Sequence, residues 1–169
     1  MLGVPTSIPG MTDLAARVQL LLRAGGHTLA TAESLTGGRL AAHVTAVPGA
    51  SQTYLGGVVA YATEPKASVL DVPNEVIDEH GVVSAECARA MASGVLALTG
   101  ATYALSTTGV AGPDRQEGKA PGTVFVGIAG PERLARLADD RARRGDGRRR
   151  VFGPFRLRGA KQPMSRRIG

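Results

Sequence analysis

Short β-prone runs alternate with helix-like stretches along the first 130 residues, and this alternation limits the possible folds. The first helix-like stretch, residues 12–23, carries a stripe of four apolar residues (Leu14, Val18, Leu21 and Leu22) and ends before two glycines. Regular alternation of the two patterns favours a sheet that is covered by helices. We therefore predict a single layered α/β domain with a central mixed sheet flanked by helices, which also suits a length of 169 residues.

The predicted elements follow from periodicity and from the positions of glycine, proline and serine. Strands are expected at residues 28–32, 56–61, 103–107 and 123–129. Helices are expected at residues 12–23, 64–70, 74–80 and 85–99, with another that ends near Val44. The helix after Ser84 has the clearest buried stripe, formed by Ala88, Met91, Ala92, Val95 and Leu96. Because aromatic residues make up only 4% of the chain, small aliphatic side chains must form most of the core.

Charge divides the chain into an acidic front and a basic end. Residues 1–130 carry a net charge of −3, whereas residues 131–169 carry +9. We therefore divide the chain into a flexible N-terminus (1–11), a domain (12–130) and an atypical Arg-rich tail (131–169). The tail has no helical or strand period, so we expect a disordered or irregular segment from about Arg141 onward. The alternative is that residues 141–150 bind nucleic acid through its phosphates.

Several classes of protein do not fit the sequence. No run of about 18 apolar residues exists for a membrane helix, and residues 1–10 lack the pattern of a secretory signal. The single cysteine, Cys87, forms neither an internal disulfide nor a zinc site, and the three histidines lack ligand spacing. We expect a cytoplasmic protein without a structural metal.

Residues 31–38 bring a serine to the expected start of a helix whose first turn holds two glycines. Free N–H groups at a helix start attract anions and stabilise a developing oxyanion. Ser34 is therefore a candidate nucleophile or phosphate ligand. The alternative is that Ser34 or Thr36 only caps the helix.

Tyr61 is expected at the C-terminal end of a strand, where α/β proteins place ligands, and Lys66 follows at a helix start. The positive end of the helix dipole lowers the pKa of such a lysine, which suits a general base beside a serine. The alternative is a solvated surface lysine. A short-chain dehydrogenase is excluded. Its catalytic Tyr and Lys stand four residues apart, whereas Tyr61 and Lys66 stand five apart, and this sequence lacks the Gly-rich dinucleotide turn of that family.

Residues 107–114 place a turn of small residues, followed by Asp114, at the end of the third predicted strand. Exposed amides and hydroxyls in such a turn are suited to an anion. The alternative is an ordinary Gly/Pro turn.

Together and in this order, these segments resemble the CinA C-terminal domain, a family that includes stand-alone nicotinamide-nucleotide amidohydrolases. The resemblance covers roughly residues 12–130. It rests on residues 32–38, 47–51, 56–61 with Lys66, 80–84, 108–113 and 121–124. It implies hydrolysis of the carboxamide of nicotinamide mononucleotide (NMN), which gives nicotinate mononucleotide and ammonia in pyridine nucleotide salvage. It implies no metal and no organic cofactor.

By matching position, the resemblance implies that Ser34 is the catalytic serine, activated by Lys66 and Tyr61. Ser34 either forms an acyl-enzyme or orients water. The resemblance also implies two groups of substrate-binding residues: Thr36, Gly37 and Gly38 near the oxyanion, and Thr108, Gly109, Ala111 and Gly112 on the facing wall. The expected partners are a small nucleotide substrate and, if the C-terminus folds, further copies of the chain, but neither a membrane nor nucleic acid.

The sequence departs from the family pattern at three places. Leu35 stands where relatives often have cysteine, and Thr63 where they often have asparagine. The family usually ends in a Gly-Asp-Arg element and an amphipathic helix, whereas Arg148 here stands one position late and no helical period follows. One hypothesis for this tail is a shifted reading frame in a GC-rich gene. The alternative function is therefore a catalytically impaired CinA-like module that binds nucleotides or a partner protein.

Overall fold

Residues 11–131 are described by the computed structural model, and they form four β-strands and five α-helices. The strands are β1 (Leu29–Glu33), β2 (Tyr54–Val59), β3 (Tyr103–Gly109) and β4 (Val124–Ala129). The helices are α1 (Met11–Ala24), α2 (Arg39–Thr45), α3 (Glu64–Ser68), α4 (Asn74–His80) and α5 (Ala85–Thr99), with a 3-10 turn at Ala50–Gln52. None of these helices is long and apolar enough to cross a membrane.

The four strands form one mixed sheet in the order β2-β1-β3-β4. Strand β1 runs parallel to both β2 and β3, and β4 is antiparallel to β3. The predicted single α/β domain with a central mixed sheet is therefore confirmed. Glu33, the last residue of β1, lies beside Val59 of β2 and Thr107 of β3. The segments that leave these three strands consequently start from the same edge of the sheet.

Helix α5 covers one face of the sheet and confirms the predicted stripe. Ser84 caps its start by accepting a hydrogen bond from the backbone N–H of Cys87 at 3.0 Å. Four of the five predicted stripe residues are buried, and Leu96 is partly buried. A Cβ atom at Gly94 would lie well under 3.0 Å from the carbonyl oxygen of Leu70, so the backbone before α4 packs directly against α5.

Helices α1 and α2 pack on the other face, where the buried side of α1 differs from the prediction. The helix is present, but Leu14 and Leu21 are 60% and 71% exposed within the described part of the chain. Leu22 and Gln19 are buried instead. The Gln19 side chain accepts a hydrogen bond from the Thr53 hydroxyl and thereby ties α1 to the segment before β2. The buried face of α1 therefore includes a polar residue, and it is not the face that the apolar pattern predicted.

Strands β2 and β3 also differ from their predicted bounds. Strand β2 begins and ends two residues earlier than expected, so Tyr61 follows the strand instead of ending it. Strand β3 continues to Gly109, because its last residues pair with Val124 and Phe125 of β4. The predictions for the N-terminus before Met11 and for the Arg-rich tail after Pro131 lie outside the described residues.

Candidate functional site

A cavity of about 490 Å³ opens where β1, β2 and β3 end. Segments that follow these strands, together with two residues just before α5, form its wall. The residues that line it are Ser34, Leu35, Tyr61, Ala62, Thr63, Lys66, Val82, Val83 and the stretch Thr108–Gln116. The position agrees with the general tendency of α/β proteins to bind ligands at the carboxyl ends of their strands.

Ser34 is fixed by its backbone and leaves its hydroxyl free. Its N–H donates to the carbonyl oxygen of Thr107 at 2.9 Å, and its carbonyl accepts from the N–H of Gly37 at 3.0 Å. The residue is buried and lines the cavity. Its hydroxyl makes no hydrogen bond with any other described residue. The side chain is thus available to a molecule in the cavity.

Lys66 is a buried lysine, with only 1% of its surface exposed. Its Nζ donates to the carbonyl oxygens of Ala60 and Ala62 at 2.8 and 2.9 Å. Burial lowers the pKa of Lys66, because the charged ammonium loses hydration. The predicted direction of the shift is confirmed, but burial is its main cause, and the alternative of a solvated surface lysine is wrong.

The amine geometry of Lys66 matters for its chemistry. A neutral amine has two hydrogens and one lone pair, and the carbonyls of Ala60 and Ala62 can accept both hydrogens. The lone pair then remains as a proton acceptor at the cavity. No hydrogen bond joins Lys66 directly to Ser34 within residues 11–131, although both line the same cavity.

Tyr61 lies at the rim of the cavity and is 65% exposed. Its hydroxyl makes no hydrogen bond with another described residue. The structure therefore brings the three residues of the implied catalytic set to one cavity, with Lys66 deep in the protein and Tyr61 at the surface. Their catalytic roles stay a prediction.

The start of α2 differs from the expectation that its amides are free to bind an anion. The buried carboxylate of Glu33 accepts hydrogen bonds from the N–H groups of Gly38, Leu40 and Ala41 at 3.1, 3.0 and 2.8 Å. An acid at the end of β1 thus occupies the positive end of the helix. The alternative that Ser34 or Thr36 caps the helix is wrong as well, since no such side-chain bond is present.

Thr36, Gly37 and Gly38, implied by the resemblance to bind substrate, are not among the residues that line the cavity. The Thr36 hydroxyl donates to Glu33 at 2.6 Å and lies 2.7 Å from the hydroxyl of Thr107. Since the Thr36 proton is used on Glu33, the Thr107 hydroxyl must be the donor of the second bond. The three residues therefore support the turn around Ser34, and the substrate contact that the resemblance implies for them stays a prediction.

The facing wall does line the cavity, as the resemblance implied for Thr108, Gly109, Ala111 and Gly112. The Thr108 hydroxyl is committed to the carbonyl oxygen of Val82 at 2.6 Å. A side chain at Gly109 would collide with the backbone of Thr123, so glycine is needed for the close approach of β4. The N–H groups of Ala111 and Gly112 make no hydrogen bond with described residues. They remain as donors for a bound molecule.

The loop that follows this wall also belongs to the site, and sequence reasoning missed the part of it from Arg115 onward. Glu117 accepts hydrogen bonds from the N–H groups of Val82 and Val83, both at 2.9 Å, and so holds the loop against the segment before α5. Asp114 and Arg115 line the cavity next to this anchor. The available signal was local: charged residues at positions 114–119 directly follow the small-residue turn.

Two other features carry less chemistry. Burial raises the pKa of the Cys87 thiol to about 11, so the thiol is neutral at physiological pH. A second cavity, also about 490 Å³, lies between α5 and the segment from α3 to α4, and its lining is mostly apolar. Its charged residues Glu86 and Arg89 bind each other at 2.6 Å.

Residues 11–131 hold no cluster of three or more His, Cys, Asp or Glu that could bind a metal.

Comparison with known families gives a match to the family described as the CinA C-terminal domain. The matched residues are 11–152, so the match continues past the domain boundary predicted near residue 130.

Individual relatives agree with this match. A CinA-like protein of Frankia casuarinae is 54% identical over 120 residues, which are 69% of this chain and 28% of the relative. A competence-damage inducible protein of Halalkalibacterium halodurans is 50% identical over 117 residues, with the same two coverages of 69% and 28%. The chain thus spans only 28% of the length of these curated relatives.

Solved structures show the same fold. The competence damage-inducible protein A (ComA) from Klebsiella pneumoniae superposes with a TM-score of 0.68 at 42% identity, covering 70% of this chain and 74% of that one. The competence/damage inducible protein CihA from Agrobacterium tumefaciens gives a TM-score of 0.71 at 33% identity, covering 75% and 78%.

Proposed function

Because the chain belongs to the CinA C-terminal domain family, we propose that it is an amidohydrolase that acts on NMN. The products are nicotinate mononucleotide and ammonia. The observation that carries the proposal is that Ser34, with a free hydroxyl, and Lys66, with a lowered pKa, line the same cavity. Amide hydrolysis needs this pair of functions, a nucleophile and a base to activate it. A cytoplasmic location remains part of the proposal.

In the proposed reaction, the neutral amine of Lys66 accepts the proton of the Ser34 hydroxyl, directly or through one water molecule. The Ser34 oxygen attacks the carboxamide carbon, and the carbonyl oxygen becomes an oxyanion. Collapse of this tetrahedral intermediate breaks the C–N bond, and the proton held by Lys66 goes to the departing nitrogen, which leaves as ammonia. Water then hydrolyses the acyl-serine ester and releases the carboxylate product.

Burial of Lys66 supports this sequence of steps. A lysine with an ordinary pKa is almost entirely protonated at neutral pH and cannot accept a proton. Lowering its pKa raises the fraction of neutral amine, and the carbonyls of Ala60 and Ala62 hold that amine in place. The free N–H groups of Ala111 and Gly112 supply donors for polar groups of the substrate on the facing wall.

The test is the rate of ammonia release from NMN by the unmodified chain and by Ser34→Ala. Loss of the nucleophile should reduce kcat by at least about 100-fold. Ser93→Ala is the matched control, because Ser93 lines the second, apolar cavity and should leave the rate unchanged. Equal rates for the Ser34 variant and the unmodified chain would remove Ser34 from the mechanism. Calorimetric binding of NMN without any turnover would favour the alternative of a binding module.

A further inference from the structure

The cavity has a charged rim as well as a buried lysine. Among the described residues that line it, three carry a formal charge: Lys66, Asp114 and Arg115. Lys66 lies inside the protein, whereas Asp114 and Arg115 are exposed on the loop between β3 and β4. The cavity therefore offers a buried amine at one place and an exposed anion and cation at another.

The rim loop is held in place, and its charged side chains keep free capacity. Glu117 anchors the loop to the N–H groups of Val82 and Val83. One guanidinium nitrogen of Arg115 donates to the carbonyl oxygen of Gly118 at 2.7 Å, and its other donors have no partner within residues 11–131. Asp114 makes no hydrogen bond or ion pair there either. Both groups are thus positioned to bind a ligand rather than each other.

Apart from the uncharged N–H groups of Ala111 and Gly112, few groups at this edge of the sheet are left to bind a nucleotide phosphate. The start of α2, where glycines usually favour an anion, already holds the carboxylate of Glu33. Lys66 is buried and donates to two carbonyl oxygens. Arg115 is the remaining cation in the described lining, and a guanidinium binds phosphate oxygens in a planar, two-point geometry.

We propose that Asp114 and Arg115 recognise the ribose 5-phosphate part of the substrate. Arg115 donates hydrogen bonds to the phosphate, and the Asp114 carboxylate accepts hydrogen bonds from ribose hydroxyls, as acidic residues do in other nucleotide sites. This assignment rests on the proposed amidohydrolase function and adds the residues that bind the phosphate and ribose of its substrate. The enzyme selects a nucleotide over the corresponding nucleoside, and the selection is made at the rim, away from Ser34 and Lys66.

Kinetics with two substrates test the assignment. The ratio of kcat/KM for NMN to that for nicotinamide riboside measures recognition of the phosphate. Arg115→Gln should lower this ratio about 10-fold, because one charge-assisted interaction at an exposed site is lost, and the loss should appear in KM. Arg115→Lys should give an intermediate ratio. Arg17→Gln, which changes the net charge equally on helix α1, should keep the ratio of the unmodified chain.

A binding measurement separates this assignment from the proposed reaction. Ribose 5-phosphate and inorganic phosphate serve as probes in calorimetry, since neither has a carboxamide. Arg115→Gln should weaken both probes about 10-fold, whereas Asp114→Asn should weaken only ribose 5-phosphate. Both substitutions are at exposed positions, so circular dichroism should show an unchanged fold.

The possible results distinguish failure of the rim assignment from failure of the proposed function. Deamidation of NMN with an unchanged substrate ratio in Arg115→Gln overturns the assignment and leaves the proposed function intact. Absence of deamidation, together with Arg115-dependent binding of ribose 5-phosphate, supports the rim site and removes the proposed function. No binding of ribose 5-phosphate by the unmodified chain overturns the assignment whatever the activity.

Discussion

Replacing Glu33 with glutamine tests the bond network that supports the turn around Ser34. One carboxylate oxygen of Glu33 accepts from Thr36, Gly38 and Leu40, and the other accepts from the N–H of Ala41 at 2.8 Å. Glutamine has nearly the same shape but only one oxygen. If that oxygen keeps the first three bonds, the amide nitrogen faces the N–H of Ala41, and two donors meet in a buried place.

The expected loss of stability follows from the bonds and the charge. Loss of a hydrogen bond to a charged acceptor costs about 1.5–3 kcal/mol. Loss of the negative charge at the start of α2 costs about 0.3–1 kcal/mol more. The free energy of unfolding of Glu33→Gln should therefore fall by about 2–4 kcal/mol, a large part of the roughly 5–15 kcal/mol that holds a typical domain folded.

Urea unfolding at pH 7, followed by circular dichroism, measures this loss. With a typical urea dependence, the midpoint should move down by about 1–2 M. Glu75→Gln is the matched control, because Glu75 is an exposed acid in the first turn of α4 and makes no hydrogen bond within the described residues. Its effect should stay within about 0.5 kcal/mol. A Glu33→Gln change as small as that of the control would refute the reasoning.

Four further predictions concern Lys66, Cys87 and Gly94. Because burial lowers the pKa of Lys66, kcat/KM should rise with pH around a midpoint below 10.5, and Lys66→Arg should lack this rise. The unfolded chain binds the proton of Lys66 more tightly than the folded chain does. The free energy of unfolding should therefore increase as pH rises from the lowered pKa of Lys66 to 10.5. Urea titrations of Lys66→Met should lack this increase. Cys87, whose pKa is about 11, should react with Ellman's reagent at pH 8 only after unfolding in urea. Gly94→Ala should lower the free energy of unfolding by about 3 kcal/mol or more, because its Cβ meets the backbone of Leu70, whereas Ser93→Ala beside it should change it little.

The parts of the fold that were predictable depend on local signals. Helix α5 has its cap at Ser84, its glycine stop at Gly100 and a buried stripe in one continuous stretch, so each signal could be read without knowing the rest of the chain. The alternation of elements gave the α/β layers for the same reason. The buried face of α1 was not predictable, because Gln19 is buried through a bond to Thr53, 34 residues away.

In the candidate site, too, features with a local signal were predictable and features that depend on distant contacts were not. Local patterns located Ser34, Tyr61 and Lys66, and the resemblance implied their roles. Parallel pairing of β1 with β2 and β3 brings the segments after these strands to one edge of the sheet. The roles of Glu33 and Glu117 were missed. Each carboxylate acts by accepting hydrogen bonds from backbone N–H groups, and Glu117 reaches residues 34 and 35 positions earlier in the chain. Backbone donors leave no residue-type signal in a sequence.

The two cations of the cavity differ in burial, and this difference assigns them different tasks. For Lys66 the loss of hydration on burial outweighs the attraction of Glu117 and lowers the pKa, which suits this residue to the proposed role of a base better than to holding a permanent anion. An exposed arginine stays charged at every accessible pH and cannot act as a base, but it binds phosphate well. Since Glu33 already occupies the start of α2, the proposed recognition of a phosphate is assigned to the rim. Changes at Lys66 should therefore alter kcat and its pH dependence, and changes at Arg115 should alter KM for phosphorylated substrates alone.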